Sequence, residues 1–103
     1  GQGEPEDGRP VAFAVGQLAL EAREFDTAGE FFELALLHDP KNAPAVYLTW
    51  GLGLLGDDQH PAAIKVFRRA VAENVTPDNP AFHTYLALAL EFDGQTEEAL
   101  KVA

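Results

Sequence analysis

The residues Gly51-Leu52-Gly53-Leu54-Leu55-Gly56 match the G-x-G-x-x-G spacing of a phosphate-cradling loop, and Ala45 to Trp50 ahead of them could pass for the strand such a loop follows. The chemistry would be capture of a dinucleotide pyrophosphate on a helix N-terminus. Asp57 and Asp58, however, follow the last glycine directly, where two carboxylates repel phosphate. A nucleotide-binding enzyme fragment built on Gly51, Gly53 and Gly56 is therefore kept as the remote alternative. The expected role of these glycines is close helix packing and a helix stop.

Other chemistry-bearing residues are sparse. His38, His60 and His83 each stand without a second His or a Cys at metal-ligand spacing, so no metal site is expected. The chain has neither Cys nor Ser, which removes disulfides, thiolate ligands and the two commonest nucleophiles. No nucleophile, base and orienting group occur together, and the sequence is read as non-enzymatic, with no cofactor. Lys65, Arg68 and Arg69 form the one basic cluster. A 35-residue offset sets Lys65 level with Glu30 and Arg68 level with Glu33, a ladder of charge pairs worth about 0 to 1 kcal/mol each if exposed.

Composition bounds what could position such groups. The 103 residues allow one small domain, 47% of them hydrophobic. Asp and Glu number 17 against 7 Lys and Arg, a net charge of −10. Nucleic acid and anionic membrane surfaces both require basic residues, so neither is an expected partner. No apolar run approaches the roughly 18 to 20 residues that cross a bilayer. With no methionine, residue 1 is not a translation start, and the chain reads as an excised or processed piece. The compartment stays open, with the cytoplasm as the default.

Residues 1–9 mix Gly, Pro and acids without an apolar residue and read as a disordered acidic leader. From Pro10 onward the apolar residues recur at helical spacing, rich in Ala and Leu. Pro10 suits the first turn of a helix running to about Arg23. Thr27 with Glu30 forms a capping box for a second, ending at Asp39-Pro40. Asn42 and Pro44 open a third helix, which Gly56 closes, and His60-Pro61 opens a fourth, ending near Val75 to Pro77. Asn79-Pro80 opens a fifth, stopped by Gly94, and Thr96 starts a short sixth.

A repeat links these helices. Ala28 and Phe32 recur as Ala63 and Phe67, 35 residues on, and Ala99 follows 36 after Ala63. Gly16, Gly51 and Ala87 hold the same frame. The pattern resembles the tetratricopeptide repeat. The middle unit carries it through Tyr47, Trp50-Gly51, Leu54, Ala63, Phe67 and Ala70. The first supplies Ala12, Val15-Gly16, Ala19, Ala28, Phe32, Ala35 and Pro40, and the third His83, Leu86-Ala87, Leu90 and Ala99. The resemblance implies an all-α fold of antiparallel helical hairpins stacked as a right-handed superhelix. About two and a half repeats are expected, near 9–43, 44–79 and a truncated 80–103. Pro77 falls two residues late, so the step from the second to the third unit is expected to differ.

The inner helices are unusually apolar. Between Ala45 and Leu55 the one polar side chain is Thr49, and a helix apolar all round is a buried helix. In the resembled family the first helix of each hairpin lines a concave groove. Here that face would present Phe13, Gln17 and Leu20, then Leu48, Thr49 and Leu52, then Thr84, Tyr85 and Leu88. The implied function is a protein-interaction scaffold whose groove binds an apolar or amphipathic partner segment. No Lys or Arg interrupts the groove, so a clamp for acidic tails is not expected. The alternatives are a structural spacer and a self-associating segment of a larger protein.

Overall fold

The computed structural model describes residues 9–102, and the expected leader at 1–8 lies outside them. Among the described residues there are six α-helices and no strand: α1 (Arg9–Glu21), α2 (Phe25–His38), α3 (Ala43–Gly56), α4 (His60–Ala72), α5 (Ala81–Phe92) and α6 (Thr96–Val102). A short 3-10 turn, Pro40–Asn42, joins α2 to α3. The helices pair as hairpins α1/α2, α3/α4 and α5/α6, and the stack is elongated, 51 × 32 × 15 Å.

The repeat is written most plainly in the turns within the hairpins. Arg23, Asp58 and Gly94 each adopt a left-handed conformation, with φ of 60°, 62° and 81°. The following N–H groups of Glu24, Gln59 and Gln95 reach back to the carbonyls of Ala19, Leu54 and Leu90 at 2.8, 2.9 and 2.8 Å. These are the six-to-one bonds of a Schellman turn, which satisfies helix-end carbonyls and reverses the chain. Glycine alone adopts that conformation without steric cost, so Arg23 and Asp58 hold it against a penalty.

Small residues at fixed places let the helices approach. Ala28, Ala35, Ala63 and Ala70 are fully buried, and Phe32 and Phe67 fill the space between hairpins. A Cβ at Gly16 would lie 2.9 Å from the Phe32 ring, and one at Gly51 would collide with Phe67. Phe32 stacks on Trp50 at 5.6 Å and Phe67 on Tyr85 at 5.7 Å, so each outer helix is keyed to the first helix of the next hairpin.

Several sequence expectations shift. Helix α1 takes in Arg9, which the leader had claimed. Helix α2 begins at Phe25, two residues before Thr27, because the Schellman turn hands the chain directly to Glu24 as N-cap; Thr27 lies inside the first turn and forms no capping box. Pro80 is the N-cap of α5, while Asn79 Oδ1 accepts the Ala81 N–H at 2.9 Å. Glu33 pairs with Arg69 rather than Arg68.

The largest difference concerns α5. His83 is exposed, and Phe82 takes the buried place at 4% exposure. The turns of the second and third hairpins lie 36 residues apart, whereas the ring stacks of Phe32–Trp50 and Phe67–Tyr85 are separated by 35. The buried face of α5 nevertheless keeps the 36-residue frame of the turns, with Phe82, Leu86 and Leu90 in the places of Val46, Trp50 and Leu54. Helix α5 packs on α4 through Phe82 and Tyr85, which both touch Phe67.

Candidate interaction face

On the side of the stack where α1 and α3 run together, Gln17, Leu20 and Glu21 of α1 meet Thr49, Leu52 and Gly53 of α3 around a hollow of about 380 Å³. Gly56 and Asp57 extend it toward the hairpin turns. Gly53 shapes its floor: a Cβ there would overlap the Leu20 Cδ1, so the absent side chain is what lets Leu20 lie across α3. Leu52, 39% exposed, stands at the rim. At one end the Arg23 guanidinium donates to Asp57 Oδ1 at 3.2 Å.

Of the nine groove residues read from sequence, the structure gathers Gln17, Leu20, Thr49 and Leu52 around this hollow. Leu20 is far less open than expected, at 6% exposure, since the space over Gly53 takes most of its side chain. Leu48 is half-buried against the core. Phe13 is committed to an edge-to-face contact with Phe32 at 5.9 Å, and Tyr85 to its stack on Phe67. Thr84 is exposed, its hydroxyl donating to the Pro80 carbonyl at 3.3 Å. Leu88, 40% exposed, lies on α5 away from the hollow's lining.

The glycine fingerprint has no phosphate-binding geometry. Gly51, Gly53 and Gly56 all lie within the continuous helix α3, so the strand, loop and helix start that the motif requires are not formed. That overturns the dinucleotide alternative on structural grounds: two of the glycines are packing sites for Phe67 and Leu20, and the third ends the helix. Among the described residues no three His, Cys, Asp or Glu side chains converge as metal ligands, and no helix is long and apolar enough to cross a membrane. His60 instead sits between Asp58, at 3.6 Å, and Asp93, at 4.0 Å, with its ring against Phe92.

A second concavity was not foreseen. Between the outer helices α2 and α4 runs a cleft of about 460 Å³ over Phe25, Trp50 and Ala62. The Arg69 guanidinium closes one end, donating through both terminal nitrogens to Glu33 at 2.5 and 3.1 Å, and it lies 5.4 Å over the Tyr47 ring and 5.9 Å over Trp50. The hydrogen bond to Glu33 is the main reason the arginine holds its proton even more firmly than usual. Behind it the Tyr47 hydroxyl donates to Glu73 at 2.6 Å. Burial, and next that hydrogen bond, push the phenol up to about 12. The sequence signal was the opposition of Glu30 and Lys65, read there as a closed ladder.

Paired antiparallel helices, recurrent Schellman turns and a ring stack between successive hairpins define a helical repeat array. A family model for the tetratricopeptide repeat matches residues 48–103, more than half of the chain. The chain belongs to the tetratricopeptide-repeat family. Eleven chains of solved structure match it, among them MamA from AMB-1, at 25% identity and a TM-score of 0.64, over 89% of this chain and 49% of that one. The chain thus spans about half the length of that solved protein. No curated protein matches.

Proposed function

We propose that this chain is a protein-interaction scaffold without chemistry of its own, and that the α1/α3 face receives an apolar or amphipathic segment of a partner polypeptide. The observation carrying this reading is the hollow of about 380 Å³ between α1 and α3, where Leu20 lies down over Gly53 and leaves a recess edged by Leu52, Gln17 and Thr49. Leu52 offers the exposed apolar contact, and Gln17 and Thr49 offer hydrogen bonds to a partner backbone. Helix-in-groove recognition needs this combination of an apolar seam and a few polar anchors. Repeat arrays of this family serve as such scaffolds.

The test is site-specific photo-crosslinking. A benzophenone amino acid at position 52 is expected to trap a discrete partner, whereas the same probe at Glu91 on α5 traps none. Equal trapping from both positions, or trapping from position 91 alone, would remove the α1/α3 face from consideration.

A further inference from the structure

We infer that the cleft between α2 and α4 is a second docking surface, separate from the α1/α3 face, and that it takes an amphipathic helix with an apolar seam and basic residues along its α2 side.

Three features of the cleft point there. Its floor is aromatic and apolar, formed by Phe25, the edge of Trp50 and Ala62, and its volume of about 460 Å³ is ample for two or three apolar side chains. Its α2 wall presents Asp26 and Glu30, one helical turn apart, both exposed. Its α4 wall presents the exposed Lys65. The neighbouring Glu33–Arg69 pair is already satisfied, but among the described residues Asp26, Glu30 and Lys65 have no ion-pair partner. The rim therefore offers unspent charge, two carboxylates along one side and an ammonium on the other, over an apolar base. A partner helix laid between α2 and α4 would cover the ring edges and set its own Lys or Arg against Asp26 and Glu30.

Charge decides between candidate occupants. A second copy of the chain would bring a net charge of −10 against −10, which opposes association, whereas a basic partner gains from steering by the whole molecule. Trp50 is the single tryptophan, so its emission reports directly on this cleft.

The experiment titrates the full chain with a synthetic tryptophan-free amphipathic helix whose leucine seam is flanked by lysines, read by Trp50 emission. The expected result is saturable binding with a shift of the emission, weakened about tenfold or more by Glu30→Lys. The same charge change placed elsewhere, Glu91→Lys, should weaken it far less, and Leu52→Glu should leave it unchanged, so that failure of this cleft and failure of the α1/α3 face are told apart. Three results would overturn the inference. One is no saturable binding; another is equal weakening by Glu30→Lys and Glu91→Lys, which reduces the effect to overall charge. The third is a dimer of the chain alone, seen by light scattering, that Lys65→Glu dissociates.

Discussion

Phe67 stacks on Tyr85 with ring centroids 5.7 Å apart, and the pair reproduces, 35 residues on, the 5.6 Å stack of Phe32 on Trp50. Each stack joins the second helix of one hairpin to the first helix of the next. The same ring pairing thus recurs at both joints of the array, reinforced at the second by Phe82. Phe67 is fully buried, so Phe67→Ala should cost about 3 to 5 kcal/mol. Tyr85 is half-buried, and Tyr85→Leu keeps most of the apolar contact but loses the ring pairing, about 0.5 to 1.5 kcal/mol. Urea unfolding of the two variants measures both, and a Tyr85→Leu cost equal to that of Phe67→Ala would mean that the joint is not what orders the third hairpin.

The three glycines of the idle fingerprint should part company when each is changed to alanine. At Gly51 the new Cβ meets Phe67, which is wedged against Phe82 and Tyr85 and has no room to yield. Overpacking of about 1 to 3 kcal/mol then outweighs the gain in helix propensity of about 1. At Gly53 the obstacle is the free end of Leu20, which can swing into the hollow, and at Gly56 nothing stands within 4 Å. Gly51→Ala should lower the melting temperature, while Gly56→Ala should leave it unchanged or raise it. A neutral Gly51→Ala would show that the α3/α4 contact is looser than described.

Tyr47 gives the fold a signature at high pH. Its folded-state value, raised to about 12 from the usual 10.0, means that the native state keeps a proton which the unfolded chain gives up first. The stabilising contribution is therefore complete below pH 10 and is lost between pH 10 and 12. Tyr47→Phe should flatten that part of the profile and, by removing the bond to Glu73, cost about 1 kcal/mol at neutral pH. Denaturant midpoints of both proteins across this range test it; parallel profiles would contradict the assignment.

Asp58 holds a left-handed φ of 62° with its side chain 93% exposed, where Gly94 stands in the following hairpin. Asp58→Gly should relieve that strain and stabilise the chain by up to about 1 kcal/mol, partly offset by the entropy of glycine. A thermal melt decides, and a clear loss would show that the contact between Asp58 and His60 at 3.6 Å outweighs the strain.

The fold class and hairpin order were legible because the Ala and Gly positions are dictated by backbone approach, and their offset survives in the sequence. In the third hairpin Leu86, Leu90 and Ala99 are buried where the repeat frame puts them, and the aromatic place alone differs, Phe82 being buried rather than His83. His83 and Phe82 both suit a helix, and only the packing against α4 chooses between them. Spacing put Gln17, Thr49 and Leu52 on one face, and they do line one hollow, but it could not show that Leu20 sinks over Gly53 or that Phe13 turns to Phe32. The α2/α4 cleft was hidden by reading Glu30 and Lys65 as partners when they stand apart as its walls.

If the α1/α3 face is a binding surface separable from the core, a charge at Leu52 must weaken binding and spare the fold. Calorimetric titration of the parent chain and of Leu52→Glu with the partner segment recovered by crosslinking from position 52 is the measurement, with urea unfolding of each protein beside it. A carboxylate at an exposed rim should change stability by no more than about 0.5 kcal/mol, yet lower the affinity about a hundredfold, because it would be desolvated without a counterion in the complex. If Leu52→Glu binds as the parent does, or unfolds as readily as Phe67→Ala, the face belongs to the core or to solvent and the account is contradicted.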